Sequence, residues 1–117
     1  MKIALYDPYL DTMSGGEKYM LSIALCLAKE HEVFILWDKT SPQTIGEQAR
    51  RRFEFDLSAL TFAKSPFSPK VSLKERYAET KKYDLLIVLS DGSIPIVGCP
   101  LIFTLPVTYD MGKWPNT

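Results

Sequence analysis

The sequence is poor in the residues that most often carry metal, redox or nucleophilic chemistry. It contains two cysteines, Cys26 and Cys99, and one histidine, His31. The cysteines lack the C-x-x-C spacing of a redox or zinc site, so we expect buried thiols in a reducing compartment. His31 follows the end of a helical pattern, which favours an exposed group that compensates the helix dipole over a general base. These absences argue against a histidine-based triad.

The chain also has no net charge and no long apolar run. Fourteen basic residues balance fourteen acidic ones over 117 residues, which removes the broad positive surface expected of a protein that binds nucleic acid nonspecifically. No apolar stretch approaches the roughly 18 residues that a membrane span needs, and the first residues lack the apolar core of a signal peptide. We therefore predict a single cytoplasmic domain over 1–117 with no nucleic-acid partner.

The most informative stretch that is present is Ser14-Gly15-Gly16-Glu17, between an apolar run and a long helical pattern. Ser14 and Glu17 have the S-x-x-E spacing of a capping box, which marks a helix start. Gly15 and Gly16 allow left-handed backbone angles and let a ligand lie against the first helical N–H groups, where an anion is favoured. A tight turn in which Glu17 only caps the helix explains the same residues equally well.

Apolar and amphipathic segments alternate along the chain. They predict strands at Lys2–Tyr6, Glu32–Trp37, Leu60–Ala63, Asp84–Ser90 and Pro100–Leu105. They also predict helices that begin at Ser14 and at Ser72 (to Lys82), and a helix over Thr44–Phe53 with Ser41 as its cap and Pro42 at the first helical position. This alternation predicts an α/β fold: a Rossmann-like, doubly wound parallel sheet of about five strands in a three-layer α/β/α arrangement. Because the first and fourth strands are the most apolar and the third is weak, we expect the strand order 3-2-1-4-5.

In such a sheet, ligands bind beyond the carboxyl ends of the strands. The candidates on this rim are Asp7, Tyr9, Asp91 and Thr104. Asp7, Asp38 and Asp91 could hold a cation if they met, but aspartate commonly turns the chain where a strand closes, and we predict no metal. Neither G-x-G-x-x-G nor G-K-[ST] occurs, so we expect no cofactor.

Two segments resemble a known family. The opening Lys2–Tyr6, followed by a loop and Ser14–Glu17, resembles the start of retaining GT-B glycosyltransferases of family four, and Lys82–Ile87 resembles a strand of that family in which an aspartate precedes apolar residues. The resemblance covers the amino-terminal, acceptor-side domain of such an enzyme. The second domain, which holds most nucleotide contacts and the paired glutamates of the family, is missing from this chain.

The resemblance implies that Gly15, Gly16 and Glu17 face the phosphate and sugar of a nucleotide-sugar donor. Many members carry a histidine and then a proline after the fifth strand, whereas this chain has Thr104–Val107 there, so the catalytic residues stay unassigned. The expected function is sugar transfer to an unidentified acceptor, incomplete without the donor-binding domain. The alternative is a stand-alone Rossmann-like module that binds a small anion or a protein partner.

Three further segments lead to expectations about surfaces. Arg50–Arg52 near a helix C-terminus predict a solvated face. The apolar tail residues Tyr109, Met111 and Trp114 predict an exposed patch or self-association. Prolines and positive charges in Lys64–Arg76 predict a mobile rim loop that could make peripheral membrane contact, although a plain solvated connector is as good an interpretation.

Overall fold

The computed structural model describes residues 1–67, 70–89 and 98–104, with backbone alone for 101–104. Within these ranges the strands are β1 (Lys2–Tyr6), β2 (Glu32–Leu36), β3 (Thr61–Ala63), β4 (Leu85–Leu89) and β5 (Leu101–Thr104). The helices are α1 (Gly15–Leu27), α2 (Pro42–Phe53) and α3 (Leu73–Thr80), with a short 3₁₀ turn at Leu10–Thr12. Asp91 and the tail residues Tyr109, Met111 and Trp114 lie outside the described residues, so the expectations for them stay predictions.

The strands form one sheet in the order β3-β2-β1-β4-β5, and every neighbouring pair is parallel. β1 is central, since Ile3 pairs with Val33 on one side and with Leu85 on the other. The predicted α/β fold and strand order are confirmed. The order follows from burial, because strands covered on both faces carry unbroken apolar runs and weak strands are confined to the edge.

Alternate residues of the strands supply two apolar clusters, one on each face of the sheet. The first packs against α1 and α2 and includes Ile3, Leu5, Val33, Ile35, Met20, Leu21, Ala24, Ile45 and Ala49. The second contains Ala4, Leu36, Tyr83, Leu86 and Val88, with Phe67 against it. Arg76 of α3 lies over the Phe67 ring, 5.2 Å from its centroid, which places this helix beside the second cluster.

Helix α1 corrects the expectation that both cysteines are buried. Its core side includes Met20 and Ala24, whereas Lys18, Ser22 and Cys26 follow one another at four-residue spacing and are exposed. Residues four apart share one face of a helix, and Cys26 falls on the polar one. Cys99 is half-buried.

The predicted helix from Ser72 is confirmed, and its first four residues therefore do not belong to the mobile loop expected over Lys64–Arg76. Ser72 accepts a hydrogen bond from the Glu75 N–H at 3.2 Å and caps α3, which takes Lys74 and Arg76 into the helix. Arg76 Nε also donates to the Pro66 carbonyl oxygen at 3.2 Å. These bonds hold the described part of the segment against the helix.

Candidate functional site

The carboxyl ends of β1, β2 and β3 lie side by side at one edge of the sheet. Asp7 follows β1 and is 5% exposed, whereas Tyr9 is 42% exposed. Thr104 is the last residue of β5. Of the residues predicted from sequence, the structure brings Asp7 together with the turn that holds Gly15, Gly16 and Glu17.

The connection from β1 to α1 is a tight turn held by its own polar groups. Asp7 Oδ1 accepts a hydrogen bond from the Tyr9 N–H at 2.9 Å, which starts the 3₁₀ turn. Met13 then adopts left-handed backbone angles, with φ of 49°, and redirects the chain into α1. The left-handed conformation that we expected of the glycines thus belongs to Met13, since neither Gly15 nor Gly16 has a positive φ.

Glu17 closes the predicted capping box with Ser14. Its Oε1 accepts hydrogen bonds from the Ser14 N–H at 3.1 Å and from the Ser14 hydroxyl at 2.5 Å. The Thr12 hydroxyl lies 2.8 Å from the same oxygen and 2.8 Å from the Tyr9 carbonyl, and its one proton serves one of them at a time. Glu17 is 2% exposed, so its carboxylate acts inside the turn.

Asp7 and Glu17 form a buried pair of carboxyl groups. Burial and the hydrogen bond to Glu17 raise the pKa of Asp7 to about 8. Burial also opposes ionisation of Glu17, but hydrogen bonds from Asp7, Ser14 and Thr12 outweigh it and hold the pKa of Glu17 below its usual range. Asp7 Oδ2 is buried and no described residue donates a hydrogen bond to it, so a negative charge on this oxygen would be uncompensated. At neutral pH the pair therefore carries one proton, on Asp7, and one negative charge, on Glu17.

The two glycines have different surroundings. A Cβ built on Gly15 meets no atom within 4 Å, so the residue presents an open face at the start of α1. A Cβ built on Gly16 lies 3.3 Å from Leu89 Cδ2, so this glycine permits close packing of α1 on β4. A ligand can thus approach the first N–H groups of α1 at Gly15, whereas Gly16 serves the core.

A cavity of about 270 Å³ lies beside this turn, at the ends of β1, β2 and β3, and its lining includes Tyr6, Trp37, Asp38, Lys39 and Phe67. The rings of Tyr6 and Phe67 stack with centroids 4.2 Å apart. Lys39 lies over the Trp37 ring and donates to the Pro8 carbonyl oxygen at 3.2 Å. Sequence reasoning singled out Asp38 and missed its neighbours, although aromatic residues at the ends of two strands were a usable signal.

The described ranges contain neither a cluster of metal ligands nor a helix that could span a membrane. Among residues 1–67, 70–89 and 98–104, no group of three His, Cys, Asp or Glu side chains could hold a metal ion. Within the same ranges, no helix has the length and apolar character to cross a membrane.

The chain matches no protein-family profile, no curated protein and no solved structure. Its function is therefore inferred from the chemistry of its own residues.

Proposed function

We propose that this chain is the acceptor-side domain of a retaining GT-B glycosyltransferase of family four. In that role it takes part in moving a sugar from a nucleotide-sugar donor to an acceptor, and catalysis needs a donor-binding domain in addition. The Rossmann-like sheet with a Ser-Gly-Gly-Glu turn after its central strand supports the proposal.

The observation that carries the proposal is the open face of Gly15 at the first position of α1. The first N–H groups of a helix have no partner within it, and the helix dipole makes this end favourable for an anion such as a phosphate. With no side chain at Gly15, a phosphate oxygen can come within hydrogen-bond distance of these groups. Gly16 and Glu17 act on the same site indirectly, because they fix the position of the turn.

The aromatic cavity offers room for a second part of the reaction. Its volume of about 270 Å³ suits one small ring, its walls include Trp37, and Asp38 supplies a carboxylate that can accept from hydroxyl groups. Asp38 Oδ2 already accepts from the Ser65 N–H at 3.2 Å, which fixes the carboxylate at the cavity wall. A sugar ring is a suitable occupant.

The test compares Gly15→Ala with Gly46→Ala. Gly46 lies in α2, and a Cβ there also meets nothing within 4 Å, so it is a matched control for the added methyl group. We titrate each protein with UDP-glucose at millimolar concentration and follow backbone amide shifts by NMR. We expect shifts in 14–17, and an affinity about tenfold lower for Gly15→Ala than for wild type and Gly46→Ala. Equal affinity in all three proteins, or no shifts in 14–17, would contradict the proposal.

The alternative function is a stand-alone Rossmann-like module for a small anion or a protein partner. The internal bonds of Glu17 favour it, since they account for the Ser-Gly-Gly-Glu sequence without a nucleotide-sugar. Inorganic pyrophosphate distinguishes the two. If pyrophosphate binds at Gly15 as tightly as UDP-glucose does, the nucleoside and the sugar add nothing and the module is the better description.

A further inference from the structure

A second cavity, of about 400 Å³, lies between the 3₁₀ turn and α2. Its lining consists of Asp11, Thr12, Met13, Gln48, Arg51 and Arg52. Ile45 and Ala49 are fully buried against the core, and they fix the orientation of α2 about its own axis. Residues three and four apart share a helix face, so Gln48 presents its side chain on the same side as both arginines.

The three consecutive arginines are divided between two surfaces. Arg50 lines a different cavity and lies 3.9 Å from the Asp56 carboxylate. Arg51 and Arg52 are exposed, as predicted for a solvated face, and neither makes an ion pair with another residue in the described part of the chain. The second cavity thus holds two guanidinium groups that are available to a ligand.

We propose that this cavity binds a phosphorylated, hydroxyl-bearing ligand, with Arg51 and Arg52 on the phosphate. A guanidinium group offers planar, paired N–H donors that match phosphate oxygens, and two of them neutralise a phosphate monoester. Asp11 in the same lining repels a bare phosphate dianion but accepts from a hydroxyl group beside it. This site is independent of the proposed sugar transfer, which involves Gly15.

A purely structural role for the two arginines predicts something different. Both lie in the last turn of α2, where any positive charge compensates the helix dipole. That role needs charge and no particular shape, so lysine should serve as well as arginine. Phosphate binding through the paired donors of a guanidinium group should weaken when lysine replaces arginine.

The experiment titrates the full chain with glycerol 3-phosphate by NMR and calorimetry. We expect saturable binding to wild type, about tenfold weaker binding to Arg51→Gln and to Arg52→Gln, and little change for Arg50→Gln, which has the same loss of charge one residue away. The double variant R51K/R52K should keep the wild-type melting temperature and lose affinity. No saturable binding to wild type, equal weakening by Arg50→Gln, or full affinity in R51K/R52K would overturn the proposal.

Two further arms identify the ligand more closely. Inorganic phosphate should bind wild type more weakly than glycerol 3-phosphate, and Asp11→Ala, which removes the acceptor oxygens, should remove that difference. Vesicles of phosphatidylcholine with phosphatidic acid test whether the phosphate belongs to a lipid. Binding lost in Arg51→Gln and kept in Arg50→Gln would indicate a lipid headgroup, and binding of glycerol 3-phosphate without binding of vesicles would indicate a soluble ligand.

Discussion

Replacement of Asp7 by asparagine should stabilise the protein above neutral pH. The pKa of Asp7 is raised from its ordinary value of 3.8 to about 8, so between these values the folded chain holds a proton that the unfolded chain has released. A state that binds more protons loses stability as the pH rises, so wild type should weaken steadily across this window and level off above it. Asparagine needs no proton, and its NH₂ group can donate to Glu17 as the protonated acid does.

The size of the effect follows from the same shift. Each pH unit inside the window changes the free energy of unfolding by at most about 1.4 kcal/mol for one proton. Between pH 5 and 8, wild type should therefore lose about 2 to 4 kcal/mol relative to Asp7→Asn. The pKa of Glu17 is shifted below its ordinary value of 4.5, and the stability it contributes is lost as the pH falls through that lower range, outside this window.

The assay is urea unfolding of both proteins at half-unit steps from pH 5 to 9. Asp11→Asn is the control, because Asp11 is exposed on the same turn and the chemical change is identical. The Asp11 charge contributes least among the groups that raise the pKa of Asp7, so we expect the Asp11→Asn curve to stay close to wild type and the Asp7→Asn curve to diverge upwards with pH. Parallel curves for wild type and Asp7→Asn would refute the protonated state of Asp7 and with it the account of the carboxyl pair.

Two other predictions concern α1 and the cysteines. Gly15→Ala should stabilise the fold by about 0.5 kcal/mol, because alanine favours a helix and its methyl group has free space there. Gly16→Ala should destabilise the fold by about 1 kcal/mol, because the new methyl group meets Leu89, which is too buried to move away. Urea unfolding measures both changes, and equal effects would contradict the different surroundings of the two glycines. Cys26 should react with iodoacetamide well before Cys99, since Cys26 is exposed and burial raises the pKa of Cys99. Peptide mass mapping that finds Cys99 labelled first would contradict this prediction.

The fold could be predicted where a pattern within one short segment is enough to identify a strand or a helix start. Unbroken apolar runs placed β1 and β4 inside the sheet, and serine caps marked the starts of α1 and α3 within one residue. The prediction that Cys26 is buried was wrong. It relied on the residue type, whereas the four-residue spacing from Ser22 places Cys26 on the polar face of α1.

The candidate site depended on contacts that spacing could not show. Asp7 and Glu17 are ten positions apart, and only the left-handed conformation of Met13 folds the chain back so that their carboxyl groups meet. The different roles of Gly15 and Gly16 likewise depend on Leu89, a residue of a distant strand. Sequence reasoning found the residues of the turn and the capping box of Ser14 with Glu17, but not the contacts with Asp7 and Leu89.

The carboxyl pair leads to a final prediction, about how anion binding depends on pH. Below pH 8, Asp7 is neutral and Glu17 is the one charge of the pair, balanced by its hydrogen-bond donors. Above pH 8, Asp7 ionises and adds a second buried negative charge beside the start of α1, where it opposes a bound phosphate. If UDP-glucose or pyrophosphate binds at Gly15, its affinity for wild type should therefore fall several-fold between pH 7 and 9, and Asp7→Asn should keep its affinity. NMR titrations at both pH values decide the matter: an equal fall in both proteins would trace the pH dependence to the ligand or to other groups and separate the carboxyl pair from binding.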